Sequence, residues 1–445
     1  MSANTERESR WCSSPSPEFE VVQFPPGQAV PLQDVAGSSR STTVHCSFRT
    51  EPLSARNFHA LFDSEGRLLS EHEFRKAVFK GGVSDAIRRD AWRFLFGFYP
   101  CHSTSKERQV ILTQKLCQYE ALKNRWQSLL LRHFPSFDLT VPSNFIIENQ
   151  PAYSSETALG PLQMKGSVLP TETVIHLEAE IFANRVECTQ KVLVEALRYI
   201  SKDVPRTDRS HSFFKGDDNP HLLWLRDALV VFCLVQPGVG YVQGMNDILA
   251  RFLEVFECEA TAFWCFNYYI VTVQSDFLAE GMLSRIETLK ELLEHVDPDL
   301  HHYLHVCGVP DMIFCHKWLL LSFQREFSFD QGVALLEIIS SYYLEFHSTQ
   351  GLSAQETFRL NFKQQEGMDA ALIDPNANLN FTLFVAAAIL TLYRDRIFLC
   401  ADGSQVHQLV SSLSERLDLD KVLVQAEKLF YLYCEKSVSD AFLLM

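Results

Sequence analysis

None of the twelve cysteines forms a C-x-x-C pair, and the chain contains no G-x-x-x-x-G-K-[ST], no G-x-S-x-G and no H-E-x-x-H. With them go the phosphate-cradling loop of a nucleotide-binding chain, the nucleophile elbow of a serine hydrolase and the zinc helix of a metalloprotease. The cysteines scatter from Cys12 to Cys434, and Cys233, Cys265 and Cys315 sit inside apolar helical stretches. That pattern fits buried, reduced thiols in the cytosol and excludes a disulfide framework. Positive charge is short as well: 40 Lys and Arg stand against 55 Asp and Glu, a formal net charge of -15. Binding to nucleic acid or to anionic lipid needs clustered cations that displace counterions, so neither partner is expected. Long apolar runs are missing too. Phe381 to Tyr393 is interrupted by Thr382 and Thr391 and falls short of the roughly 20 residues a membrane helix needs. The opening MSANTERESRW mixes charges without an apolar core, which is not a secretory signal. These shortages together predict a soluble, cytoplasmic protein with no membrane span, whose membrane contact arrives through a partner.

Sustained apolar/polar alternation bounded by turns is also absent, so the expected fold class is all-α. What is present supports a large helical body. Hydrophobic residues make up 47% of 445, enough for an extensive core or two packed lobes. Asn219 and Pro220 form an N-cap and first helical residue, followed by Leu222, Leu225, Leu229 and Phe232 at spacings of three and four, one buried stripe. Ser84 precedes Ile87, Ala91, Phe94, Leu95 and Phe98, and Gly81 and Gly82 can close the preceding helix. Asp330 is the expected cap of a helix carrying Val333, Leu336 and Ile339. Residues 1–52, rich in Ser and Pro, are expected to form a disordered arm in which Phe19 to Val22 make at most a brief strand. The helical domain spans 53–436, with an N-terminal lobe over about 53–255 and a C-terminal lobe over about 256–436, leaving a tail at 437–445. Residues 150–170 and 347–379 look like loop-rich insertions.

Two near-motifs fail on inspection. Gly238, Gly240 and Gly244 imitate a dinucleotide fingerprint, but the last spacing is one residue too long and a helix precedes them where a strand is needed. His301 and His305 share a helix face beside His302 and Cys307, yet no further Cys/His knot lies nearby to complete the four ligands of structural zinc. A solvated helix surface accounts for them, and no metal is expected.

Two other segments carry the functional reading. Ile200-Ser-Lys-Asp-Val-Pro-Arg206 matches I-x-x-D-x-x-R in full, and Tyr241-Val-Gln-Gly-Met245 matches Y-x-Q-G-M. Arg88 and Trp92 supply an R-x-x-x-W upstream. Taken singly, Arg206 is as well explained as a solvated charge or a salt-bridge partner of Asp203, and Gln243 as a turn residue. Their order, helical context and flanking text (RTDRSHSFFKGDDNP, AFWCF, HKWLLLSFQREFSF) together resemble the TBC-domain family of Rab GTPase-activating proteins over about residues 75–435.

The resemblance implies a two-lobed all-α fold and an activator that supplies an arginine finger, Arg206, and a glutamine finger, Gln243, in trans to a Rab-family small GTPase in its GTP state. GTP and Mg would be carried by that partner, with no cofactor held by the chain, and the location would be peripheral on endomembranes in vesicle trafficking. Asp203, Tyr241, Gly244 and Met245 then frame the fingers or contact the GTPase, while Arg88 and Trp92 are structural. The physical need is clear: charge spreading onto the phosphate oxygens is under-stabilised and the attacking water is loosely held. A planar guanidinium forks onto phosphate better than lysine does, and a side-chain amide both donates and accepts. Leu336 stands where many members carry tryptophan in an L-W-E run, and Arg251 where a proline is common. Both lie outside the fingers. The alternative class is a catalytically silent scaffold or effector that binds a Rab without activating it.

Overall fold

A computed structural model describes residues 49–142, 170–345, 348, 353 and 379–443. Residues 1–48 of the expected arm, 150–169 of the first insertion and nearly all of 347–379 lie outside the described residues. Among those described there is no β-strand, only the isolated bridges Leu53 to Val83 and Phe62 to Leu68. The chain runs through α1 (Ala55–His59), α2 (Glu71–Gly81), α3 (Asp85–Leu95), α4 (Ser105–His133), α5 (Pro170–Arg185) and α6 (Gln190–Asp203), which passes into a 3-10 turn, Val204–Arg206. It continues through α7 (Pro220–Val235), α8 (Met245–Phe256), α9 (Glu259–Thr272), α10 (Ala279–Val296), α11 (Pro298–Val306), α12 (His316–Leu320) and α13 (Phe329–Ile339). The last described helices are α14 (Phe381–Leu392), α15 (Arg394–Ile397), α16 (Gly403–Ser411) and α17 (Leu419–Leu443).

Local chemistry sets many of these boundaries. The Asn219 side chain accepts from the His221 N–H with Pro220 at the first helical position, so α7 starts where its sequence places it. α4 opens on a reciprocal Thr104/Glu107 capping box, and α2 closes at Gly82 with φ 71°. One expected cap shifts. Ser328, not Asp330, caps α13, its hydroxyl accepting from Gln331 N, and Asp330 lies in the first turn. A serine two residues upstream reaches the free N–H groups, and the aspartate instead faces the positive end of the helix dipole.

One buried cluster extends from Leu53 to Cys434, and α8 packs on α9 across the boundary expected between the lobes. The longest apolar run forms α14, buried on all sides and packed on α17 and α10. A helix apolar all round belongs inside a large core, and among the described residues no helix is long and apolar enough to cross a membrane. Two margins differ from the compositional reading. Arg49 and Thr50, assigned to the arm, hydrogen-bond to the carbonyls of Phe79 and Lys80 at the end of α2. At the other end, α17 runs on through 437–443, assigned to the tail.

Candidate functional site

The two motif segments meet at a buried carboxylate. α6 is amphipathic and buries Ile200, Ser201 and Asp203 on its inner face. Pro205 cannot extend an α-helix past this point, and the chain tightens into the 3-10 turn whose last residue is Arg206. Asp203 therefore points inward, its side chain 7% exposed, while Arg206 points outward at 62%. The Arg206 Nη2 donates to Asp203 Oδ1 at 2.5 Å. The other carboxylate oxygen accepts from the Tyr241 hydroxyl at 2.6 Å. One side chain thus ties the turn after α6 to the loop before α8.

That loop is held from behind. The Asn246 Oδ1 accepts from the Gly244 N–H at 3.1 Å, and its Nδ2 donates to Thr207 Oγ1 at 2.9 Å and to Asp247 Oδ1 at 2.7 Å. Thr207 in turn donates its hydroxyl to the Asp203 carbonyl at 2.9 Å, and Arg325 Nε donates to Asp247 Oδ2 at 2.5 Å. A tyrosine hydroxyl has one proton. Asp203 takes it, because a carboxylate is the stronger and nearer acceptor than the Asn246 oxygen at 3.0 Å. Burial, then the bond to Asp203, pushes the Tyr241 phenol far above its usual range, so it remains a donor. Burial also raises the Asp247 carboxyl, against the opposing pull of Arg325.

Gly244 carries the shape of this loop. Its φ is 103°, and a Cβ there would lie 2.4 Å from Leu321 Cδ2, so both backbone angle and available space require glycine. Met245, the first residue of α8, is fully buried, with the Val242 N–H 3.4 Å from its sulfur. Of the two roles open to Met245, packing or contact with a partner, burial leaves packing. Gln243 stands apart: it is exposed, and its side chain engages no partner among the described residues. Arg206, at the edge of the network, and Gln243, on the loop that the network holds, thus both face solvent.

Arg88 and Trp92 join a different knot. Both donate to Glu337 Oε1, at 2.5 Å and 2.9 Å, while the Val83 N–H donates to Oε2 at 3.0 Å. Glu337 is completely buried, and burial pushes its carboxyl up. These residues lock α3 to α13 and do not enter the Asp203 network. Leu336, in the place of the family's tryptophan, is buried in the same core. The three glycines around 240 follow α7 and precede α8, with no strand on either side. His302 and His305 are exposed on α11, and among the described residues no three His, Cys, Asp or Glu side chains group as a metal site. Sequence reasoning gave no role to Asn246, Thr207, Asp247 or Arg325. Adjacency to the two motifs could have flagged the first three, and Arg325 lies within the family-like segment HKWLLLSFQREFSF.

Residues 175–354 match the Rab-GTPase-TBC domain, a span that holds Arg206 and Gln243 and leaves Arg88 and Trp92 upstream. The chain is 31% identical to TBC1 domain family member 25 of Mus musculus over 294 residues, covering 64% of this chain and 31% of that protein. It is 28% identical to TBC1 domain family member 17 of Homo sapiens over 384 residues, 86% of this chain and 46% of that one. It is 26% identical to the GTPase-activating protein GYP7 of Yarrowia lipolytica over 410 residues, again 86% of this chain and 44% of the relative. The chain therefore spans less than half the length of these relatives. The solved Ypt/Rab-GAP domain of Gyp1p superposes with a TM-score of 0.53 at 14% identity, covering 84% of this chain and 96% of that domain. That likeness speaks to the fold alone; the Rab-GTPase-TBC match, the sequence relatives and the motif segments place the chain in the TBC-domain family of Rab GTPase-activating proteins.

Proposed function

We propose that the protein accelerates GTP hydrolysis by a Rab-family small GTPase, inserting Arg206 and Gln243 beside the nucleotide that the partner carries with its Mg. The observation that carries this reading is the Asp203 carboxylate, which holds the exposed Arg206 on one oxygen and, through Tyr241 on the other, the loop that bears the exposed Gln243. A solvated arginine has no need of a buried carboxylate braced by a second motif. The Arg206–Asp203 pair lies open to solvent at the arginine end and is buried at the carboxylate end, so releasing it costs about 1 to 3 kcal/mol, most of it at Asp203. Against that, an arginine finger supplies about 10³ to 10⁵ in rate, or about 4 to 7 kcal/mol. Gln243, free of internal partners, can accept from the attacking water while donating to phosphate or to GTPase backbone. Asp203 and Tyr241 act as positioning groups, Gly244 and Met245 as the frame. The protein works in the cytoplasm, on endomembranes reached through its partner.

The test is single-turnover hydrolysis by a panel of GTP-loaded Rab proteins with the full chain. At least one member is expected to be accelerated, with Arg206→Ala and Arg206→Lys losing activation by similar factors of about 10³ or more, since lysine keeps the charge and loses the planar fork. Binding without acceleration across the panel would assign the chain to the silent scaffold class. Near-normal activation by the lysine variant would remove the arginine finger.

A further inference from the structure

Arg251 stands where the family commonly carries proline, and it is 2% exposed on α8. Its Nη1 pairs with Asp208, its Nη2 donates to the Gln324 carbonyl at 3.0 Å, and its guanidinium lies 4.1 Å from the Phe329 ring centroid. Asp208 is two residues beyond Arg206 and holds φ 41°, a left-handed conformation that aspartate tolerates and most side chains avoid. The turn that follows closes with the His211 N–H on the Asp208 carbonyl at 2.9 Å, and the His211 ring stacks on Phe329 at 4.0 Å and 13°. Phe329 is therefore touched by both ends of one device, the guanidinium that grips Asp208 and the imidazole three residues further on.

We propose that Arg251, acting through Asp208, is a positioning residue that fixes the direction in which the backbone leaves Arg206, and so the pose of the finger. The inference rests on the arginine-finger reading of Arg206. Asp203 anchors the segment before the finger, and Arg251 anchors the segment after it. Stability alone does not account for the arrangement. The Arg251 Nε is buried without a hydrogen-bond partner, and exchanging a buried ion pair for apolar side chains of similar volume is often neutral or stabilising. What the pair secures is geometry: a misplacement of about 1 Å at a reacting group is enough to cost about 10²-fold in rate.

The experiment compares Arg251→Met and Asp208→Asn in the full chain, the first filling the same space and the second altering a partly exposed carboxylate. Amide hydrogen exchange, which needs no partner, is expected to quicken by about tenfold or more over residues 204–211, with the melting temperature and the exchange of α7 unchanged. With a responsive GTPase, the saturating hydrolysis rate should fall by about 10-fold to 100-fold while the half-saturating concentration stays within about threefold. In an Arg206→Ala background Arg251→Met should add no further loss, because residues acting through one another are not additive. Unchanged exchange over 204–211 in both variants, or full multiplication of the Arg251 and Arg206 effects, overturns the proposal. Should Arg206→Ala leave hydrolysis unaltered, the arginine-finger reading fails, and the exchange readout still decides whether Arg251 holds the segment.

Discussion

Two arginine–carboxylate pairs, alike on paper, end in opposite circumstances. Arg88 pairs with Glu337 and with Asp85, and also donates to the Val83 carbonyl at 2.6 Å. Its side chain is 21% exposed and its main acceptor is completely buried. Arg206 gives one nitrogen to Asp203, keeps the rest of its fork in water and is 62% exposed. In the first pair the arginine serves the carboxylate, neutralising a charge the core cannot leave alone. In the second, on the proposed reading of Arg206 as a finger, the carboxylate serves the arginine, holding a cation at the surface for a partner. The carboxylate is inside in both. The exposure of the arginine, 21% against 62%, separates a closed lock from a cation left accessible.

The sharpest way to break this contrast is at Glu337. Replacing it with Gln removes the buried charge that Arg88 neutralises, leaves the guanidinium only the exposed Asp85 as an ionic partner, and weakens the bonds to Trp92 and Val83, so a loss of about 3 kcal/mol in unfolding free energy is expected. Denaturant unfolding reads this directly, and stability within about 1 kcal/mol of wild type would mean the knot is not the lock it resembles. At temperatures where the variant is folded, its activation of a responsive GTPase should match wild type.

Gln243 tests the other side. Gln243→Ala should leave stability untouched, because the side chain has no internal partner, and lower single-turnover activation by about 10² or more, the usual scale for removing one pre-set polar group. Since Gln243 would orient the water, a GTPase whose own switch glutamine is replaced by alanine should still be accelerated by the wild-type chain. A harmless Gln243→Ala, together with a glutamine-lacking GTPase that binds but does not respond, would leave the arginine working alone. Binding of a phosphate transition-state mimic, measured alongside, separates lost contact from lost chemistry.

The smallest effect is expected at Tyr241→Phe, which keeps the ring and removes the hydroxyl between the two loops. An oxygen of Asp203 loses its partner, worth about 1 to 2 kcal/mol, and activation should drop by about tenfold through misplacement of both fingers while the affinity for the GTPase holds. An unchanged rate would show that the Asp203 bridge between the loops is dispensable.

Much of this was legible along the chain, and the reason lies in the range of each interaction. Helix starts such as Asn219-Pro220 depend on neighbours within one turn. The all-α class follows from periodicity, and the D-x-x-R and Y-x-Q-G-M segments are contiguous strings. The cap at Ser328 was missed because two capping residues compete within three positions and only backbone geometry decides between them. Arg251 could be noticed as a departure, but its meaning could not be read, since its partners come from two stretches far from it in sequence, Asp208 from one and Gln324 with Phe329 from the other.

By itself, then, the sequence determined the kind of fold and the family, and it singled out Arg206 and Gln243 as the candidates for phosphate chemistry, all by local pattern. Which arginine is buried, which carboxylate faces two loops, and which motif residues are frame and which are free was decided only by the tertiary structure. Burial is a property of the assembled core: water is removed from Glu337 and Asp203 by helices far away in sequence. A charge with no water must find a partner, whereas one left in water remains available to another molecule.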